Sequence, residues 1–275
     1  MVIDLDCPQC NTDEEVVLAE KLTGTQRRLR CETCGVEWLR GEPTRPKPSL
    51  PTLADIRRRF PRPEDVDPKR LAHAQVLKED FLRRNPVPAP EVTAYWDRYR
   101  AIFSAEGLPD AAPQDLKDFA NSNVGANPGN MSVFNKEWHR LGAQQSAVDV
   151  RESIEYLLRG PEHIPLEDRL TNLIAGDISI GFKGFRESLL TKVLCIVYPE
   201  RFLTITKYTG EAGKREIARA LWGMELPDPE RTTWTIGRLV LWSNDLVFAL
   251  IGEGFTTGQH AAEFLWSTRT TSQVT

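Results

Sequence analysis

The chain has 275 residues, of which 40% are hydrophobic and 27% are charged, and its net charge is −4 at neutral pH. This composition excludes a disordered chain, and the acidic balance means that contact with nucleic acid would need a local basic face. The N-terminus lacks the apolar segment of a signal peptide and no apolar run is long enough to span a membrane, so we expect a cytoplasmic protein.

Two Cys-x-x-Cys units stand near the N-terminus, Cys7–Cys10 and Cys31–Cys34. In a reducing compartment such paired cysteines are more often metal ligands than disulfides. Zn²⁺ takes four thiolates in a tetrahedron, and two such units supply them. We therefore predict one structural zinc ion. A catalytic zinc is not expected, because four sulfur ligands leave no open position. The alternatives are a redox pair and unrelated cysteines.

Three short strands are predicted around these cysteines. Residues 16–22 and 27–31 have strand-like sequences joined by the turn at Thr23–Thr25, and residues 36–40 form a third candidate. Pro8 and Gly35 suit the tight turns that carry the ligands. With its four cysteines, this segment resembles the zinc-ribbon family over about residues 1–40, and we assign residues 1–41 to a zinc ribbon.

The ribbon also carries groups suited to nucleic acid. Cations that could form a basic edge, together with one aromatic side chain, are Arg27, Arg28, Arg30, Arg40 and Trp38. Acidic residues of the same segment, among them Asp4, Asp6 and Asp13, argue against a uniformly positive surface. Contact with DNA or RNA, contact with protein and a purely structural role all remain open.

A proline-rich linker is predicted over residues 42–66, because prolines recur there and favour stiff, extended backbone. Within it, Thr52–Phe60 fits a short helix with Thr52 as N-cap. Arg57, Arg58 and Arg59 then form a basic run on that helix. The run is either a solvated helical face or an arm that contacts phosphates.

Residues 67–275 are predicted to form an all-α domain, because the apolar period is helical almost throughout. The fold class is therefore mostly α, with a small β zinc ribbon joined by the Pro-rich linker to a helical domain. The helices are predicted at about residues 68–84, from 90 onwards, 131–141, 145–159, 166–175, 184–198, 211–222, 234–251 and 258–267.

The sequence contains no motif that predicts catalysis. The glycine-rich stretch Gly252–Gly258 lacks the lysine of a phosphate-binding loop and fits a helix-to-helix turn. The four histidines are scattered, without a partner at helical spacing. Cys195 lies in an apolar helix, where a buried small hydrophobic residue is expected rather than a nucleophile.

An asparagine- and glycine-rich stretch runs from Asn121 to Asn130 and includes Asn123 and Asn127. Glycines let backbone approach a ligand, and amides can contact base edges or phosphates. The helix that follows carries Lys136 and Trp138. The stretch is either part of a nucleic-acid site or an ordinary long connection.

The C-terminal half resembles a known family. The segment Phe182–Phe202, with Thr191-Lys192 and Pro199, and the segments 251–255 and 261–266 resemble the helical regions that precede the motor of McrB-type modification-dependent restriction proteins. The resemblance covers about residues 120–267. It implies a target-sensing module for DNA, with an AAA+ motor and a nuclease as partners. The motor is absent from this sequence, which implies a standalone binder or the N-terminal portion of a longer protein.

The same segment also has a structural interpretation, in which three cations spaced along the helix, Lys183, Arg186 and Lys192, are candidates for a DNA-facing side, although solvated side chains would satisfy the same pattern. A flipped base could stack on Trp138, Tyr95 or Trp96. The leading hypothesis is thus a DNA-binding module, which would read modified bases, in a restriction or antiviral defence system. The second is a protein–protein adaptor that docks a motor or nuclease, and an enzyme is the third.

Overall fold

The computed structural model describes residues 6–10, 12, 16–22, 27–40, 51–86 and 90–271. The chain divides into two compact units, Met1–Arg57 and Arg58–Thr275. The predicted turn at residues 23–25 and the first part of the predicted linker, residues 42–50, lie outside the described residues. No helix among those described is long and apolar enough to cross a membrane.

The N-terminal unit contains an antiparallel sheet of three strands in the order β1-β2-β3: Val16–Lys21, Arg27–Cys31 and Glu37–Leu39. Leu29 lies at the centre, opposite Leu18 on one side and Trp38 on the other. The register between β1 and β2 shifts between Leu18 and Glu20. The predicted small β ribbon is confirmed by this sheet.

The predicted short helix is also present, as α1 (Leu53–Arg59). Thr52 and Asp55 form a reciprocal cap at its start. The backbone N–H of Asp55 donates to Oγ1 of Thr52 (3.2 Å), and the N–H of Thr52 donates to the Asp55 carboxylate (2.9 Å). These bonds satisfy donors that a helix N-terminus otherwise leaves unpaired.

The second unit is helical, as predicted. After α1 its helices are α2 (Pro68–Arg84), α3 (Pro90–Ile102), α4 (Pro113–Asn121), α5 (Ser132–Leu141), α6 (Ala143–Arg159), α7 (Leu166–Ala175), α8 (Glu187–Val197), α9 (Lys214–Trp222), α10 (Ile236–Ile251) and α11 (Gly258–Thr271). Short 3-10 turns occur at Pro63–Asp65 and Leu108–Asp110.

Two of these helices form the centre of the core. Every residue of α8 from 188 to 196 is buried, and α10 packs along α7 and α9. The approach of α10 to α7 depends on Gly237, because a Cβ at that position would overlap the carbonyl oxygen of Glu167. The first turn of α10 therefore lies directly against the backbone of α7.

The structure differs from the sequence prediction at two places that shape the site. The helix α4 was not predicted, since it is short and Ala112, its N-cap, makes no side-chain cap bond. The helix α8 begins at Glu187 rather than near residue 184, because Gly184 has a positive φ of 92° and its backbone lies against that of Phe134 on α5.

Candidate metal centre and nucleic-acid interface

Four cysteine thiols of the N-terminal unit converge on one point. The Sγ atoms of Cys7, Cys10, Cys31 and Cys34 all lie within 4.8 Å of one another, and the Cys7–Cys34 and Cys10–Cys31 pairs are each 3.4 Å apart. A disulfide needs sulfurs about 2 Å apart, and all four cysteines are free. They are therefore four separate ligand atoms around a common centre.

The second pair of cysteines is placed by the turn that follows β2. The N–H of Cys31 donates to the carbonyl oxygen of Val36 (3.0 Å), and the N–H of Gly35 donates to that of Cys31 (2.8 Å). Gly35 has φ of 74°, a conformation that costs glycine little. The tight turn brings Cys34 back beside Cys31.

The first pair is held by a similar turn. The N–H of Cys7 donates to the carbonyl oxygen of Thr12 (2.8 Å), and the N–H of Gln9 donates to Sγ of Cys7 (3.4 Å). An N–H directed at sulfur favours the thiolate over the thiol. Cys7 and Cys31 are fully buried, so the ligands on the inner side of the cluster are shielded from water.

This arrangement can bind a metal ion. Four thiolates so close together would repel one another without a cation between them. Although burial raises the pKa of Cys31, hydrogen bonds from the Cys34 backbone and from Cys10 lower it to about 6. A tetrahedral centre with metal–sulfur bonds of about 2.3 Å requires sulfurs about 3.8 Å apart, which lies within the observed range of separations. All four ligands come from protein.

The arginines of the ribbon do not form one basic edge. Arg28 and Arg30 are exposed on the same face of β2, where Arg28 pairs with Glu20 (3.5 Å) and Arg30 lies opposite Glu37. Arg27 is half-buried and belongs to the opposite face. Arg28 therefore has a carboxylate partner, and a glutamate stands across from Arg30 on the neighbouring strand.

Two other residues proposed for the ribbon surface lie near its third strand. Trp38 is half-buried opposite Leu29, and Arg40 is exposed after β3, with its backbone N–H bonded to the carbonyl of Arg27 (2.8 Å). On α1, Arg58 and Arg59 are exposed and Arg57 is half-buried. Arg40, Arg58 and Arg59 are therefore accessible to a ligand.

The asparagine- and glycine-rich stretch forms an ordered connection between α4 and α5, here called the amide loop (residues 121–131). The side chain of Asn127 accepts from the N–H of Gly129 (2.8 Å), and that of Asn130 accepts from the N–H of Ser132 (2.8 Å). These local bonds fix the turns. Asn123 and Asn127 are exposed, whereas Gly125 is buried. The loop therefore presents amides to solvent from a fixed backbone.

Exposed cations lie on the helix that follows the loop. Lys136 is on the exposed side of α5, and Lys183 is exposed on the segment that packs against this helix through Gly184. The carboxylate of Glu137 forms an ion pair with Arg140 (2.5 Å), and its pKa is lowered by Arg140 and then by Lys183. Two cations, Arg140 and Lys183, thus act on one carboxylate of α5.

The expectation that Lys192 faces DNA is wrong. Its side chain is fully buried, and its Nζ donates to the carbonyl oxygens of Phe119 (3.0 Å) and Ser122. The lysine occurs on a helix that is buried on all sides, which apolar periodicity alone does not reveal. Arg186 is likewise occupied, because its guanidinium donates to the carbonyls of Leu173 and Ile174 at the end of α7.

The aromatic residues suggested for base stacking are also in the core. Trp138 is 4% exposed and packs on Phe134 and Phe182, with ring centroids 5.4 and 6.0 Å away, and Trp96 is 3% exposed. Tyr95 is half-buried and contacts the ring of Tyr99 at 4.6 Å. Trp138 and Trp96 cannot accept a stacked base unless the core opens.

The structure adds residues that the sequence reasoning missed. A cavity of about 480 Å³ lies between the amide loop and residues 206–213, and its lining includes Asn127, Lys207 and Trp266. Asn135 on α5 exchanges two amide hydrogen bonds with Asn121, at 2.7 and 3.2 Å. The concentration of asparagines in this region is the sequence signal that indicates Asn135. Trp266 has no such signal, because it lies far from the loop along the chain.

Cys195 and the glycine-rich stretch Gly252–Gly258 both have the structural roles that the sequence predicts. Cys195 is fully buried, its thiol donates to the carbonyl of Leu203 (3.0 Å), and burial raises its pKa to about 12. The stretch Gly252–Gly258 connects α10 to α11, and Thr257 caps the latter by accepting from the N–H of His260 (3.1 Å).

Comparison with known proteins identifies no relative: no family model, no curated protein and no solved structure matches the chain.

Proposed function

We propose that this chain is a DNA-binding module whose helical unit contacts DNA through the amide loop and the adjoining part of α5. The observation that supports it best is the combination of two features at one place. The loop presents Asn123 and Asn127 from a backbone fixed by its own hydrogen bonds. Lys136 and Lys183 lie exposed beside it on an otherwise acidic protein.

The lysines and the asparagines have different roles in the proposed DNA recognition. Lysines attract the phosphate backbone and determine most of the salt-dependent affinity. Asparagine amides can donate to and accept from base edges in a groove. The loop and the adjoining helix thus offer both kinds of group, exposed to solvent.

In this proposal the metal is a structural zinc ion. Four sulfur ligands from two Cys-x-x-Cys turns are the set that zinc favours in closed sites. The ribbon has little apolar core, since its described buried hydrophobic residues before α1 are Cys7, Leu29 and Cys31. Zinc would therefore supply the folding free energy that so small a unit cannot obtain from burial.

If the module reads a modified base, the cavity beside the amide loop is a better candidate than the buried tryptophans. It is lined by the polar side chain of Asn127 and by the aromatic side chain of Trp266. A base that leaves the duplex needs both an aromatic surface and polar groups at its edge. The substitution W266A should then reduce discrimination between modified and plain duplexes more than it reduces overall affinity.

The biological setting is proposed from the sequence resemblance alone. The segment Phe182–Phe202 resembles the region before the motor of McrB-type proteins, which supports a role in restriction or phage defence. An AAA+ motor and a nuclease would then be partners of this chain.

A salt titration of DNA affinity tests the proposed face. We expect the slope of log affinity against log salt to fall by about 2 in the K136Q/K183Q variant, because each lost phosphate contact removes about one unit. The control K21Q/K69Q removes two exposed lysines elsewhere and should leave the slope unchanged. If the slope for K136Q/K183Q equalled the slope for the control variant, the DNA contact would lie elsewhere. Absence of DNA binding by the wild-type protein at low salt would rule out the proposal.

A protein–protein adaptor is the second candidate, and one observation favours it. Val17 and Leu18 are 42% and 47% exposed on β1, which is an edge strand of the ribbon sheet. An exposed apolar edge strand is a ready template for pairing with another chain. Failure of the wild-type protein to bind DNA, together with binding of a motor or nuclease that V17K/L18K abolishes, would favour this role.

A further inference from the structure

Lys192 is an ionisable side chain in the centre of the helical unit, where burial lowers its pKa to about 7. It lies on α8 between residues that are all buried, and its own side chain is 0% exposed. An ammonium group removed from water must be satisfied by protein groups, because the loss of hydration is otherwise very costly. Its partners therefore indicate what it holds in place.

Those partners are the end of α4 and the start of the amide loop. Nζ of Lys192 donates to the carbonyl oxygens of Phe119 and Ser122 and lies 4.9 and 5.2 Å from the ring centroids of Phe119 and Tyr95. The last carbonyls of a helix have no partner within it, and a positive charge at this end is favourable. No carboxylate in the described part of the chain forms an ion pair with Lys192.

The remaining path of the loop is fixed after this point. Gly125 lies so close to Trp96 that a Cβ would be 2.9 Å from the indole nitrogen, and Oγ1 of Thr206 donates to the carbonyl of Asn127 (3.2 Å). Lys192 thus holds the first residues of the loop, whereas Thr206 holds its middle. The direction in which Asn123 leaves α4 depends on the first anchor.

We propose that Lys192 is a positioning residue for the amide loop: from inside the core, its amino group fixes the end of α4 and so the direction in which Asn123 leaves that helix to face solvent. The anchor itself follows from the contacts of Lys192. Its importance for DNA binding rests on the proposed function of the loop.

Hydrogen exchange of two variants tests the anchor directly. Lys192→Met keeps the length of the side chain but removes every donor, and Lys192→Gln keeps a donor without the charge. A hydrogen bond from a charged group contributes enough for its loss to accelerate local exchange about ten- to a hundred-fold. We expect this acceleration in residues 122–132 for Lys192→Met, and a smaller one for Lys192→Gln.

The control is Lys214→Met, which removes another fully buried lysine of the same unit. It should leave exchange in the amide loop unchanged. A uniform acceleration throughout the helical unit in the Lys192 variants, no change in the loop, or failure of both variants to fold would show that Lys192 supports general stability and would overturn the assignment.

DNA affinity supplies a second readout. Because Lys192 is buried, its loss should weaken binding about ten-fold while leaving the salt slope at the wild-type value. A reduced slope would mean that Lys192 contacts phosphate and would contradict a positioning role. If wild-type protein does not bind DNA, the proposed function fails, and the exchange measurement still decides whether Lys192 anchors the loop.

Discussion

The ribbon and the helical unit differ in what stabilises them. In the described ribbon only Cys7, Leu29 and Cys31 are buried hydrophobic residues, and two of these are candidate metal ligands. The helical unit instead has a continuous apolar core around α8 and α10. The ribbon thus brings together four candidate metal ligands and little apolar core, whereas the helical unit is packed around apolar helices, which explains why their signals in the sequence are so different.

The two units also differ in how they use buried polar groups. In the ribbon four cysteine thiols, two of them buried, lie close enough together to hold a metal ion. In the helical unit the buried amino group of Lys192 donates to backbone carbonyls. If a metal binds, the first arrangement links folding of the ribbon to metal supply, whereas the proposed anchor links loop geometry to a core residue.

Metal removal should give the largest effect. A strong chelator, or the variant C7S/C31S, should remove about 10 kcal/mol or more of metal-linked folding free energy from the ribbon. We expect amide protection in β2 to disappear while the helical circular dichroism signal persists. The variant C195A changes the fifth cysteine and should retain one metal ion per chain. Collapse of the helical signal on metal removal would contradict the independence of the two units.

The corresponding test for the helical unit is a substitution that overpacks its core. The substitution G237A places a methyl group against the carbonyl oxygen of Glu167, so α7 and α10 must move apart. We expect a loss of about 3 kcal/mol in the free energy of unfolding of this unit, measured by denaturant titration, with metal stoichiometry unchanged. The control A220S adds one heavy atom at an exposed position of α9 and should have little effect.

Ligand spacing and the limits of helices with a local capping signal could be predicted because they depend on near neighbours in sequence, whereas α4 and the start of α8 lack such a signal and were not predicted. Cys-x-x-Cys turns, the Thr52 cap and the Asp67-Pro68 start of α2, where Asp67 accepts from the N–H of Lys69 (2.7 Å), are all local signals. The burial of Lys192 could not be predicted, because the apolar period of α8 does not show whether a lysine on this helix faces solvent or the core. The burial of Trp138 likewise depends on Phe182, which is distant along the chain.

The free energy of unfolding of the helical unit should also depend on pH through a buried lysine of that unit. Burial lowers the pKa of Lys214 to about 8, while its ordinary value is 10.5. Between these values the unfolded chain binds more protons, so the free energy of unfolding should rise with pH. We expect on the order of 2 kcal/mol between pH 8 and pH 10, measured by denaturant titration of the helical unit. The variant K214M should show a flatter profile, and an unchanged slope would contradict the assignment to Lys214.

The smallest expected effect concerns α1, whose residues span the division between the units. The substitution T52A removes the side-chain acceptor for the N–H of Asp55 and should cost about 1 kcal/mol of local stability. Hydrogen exchange should then increase about five-fold in the first turn of α1 and stay constant in β2 and α8. The variant D67A, which removes the corresponding cap of α2, is the matched control and should affect that helix alone. If T52A instead accelerated exchange in both the ribbon and the helical core, α1 would couple the two units, and their stabilities could no longer be treated as separate.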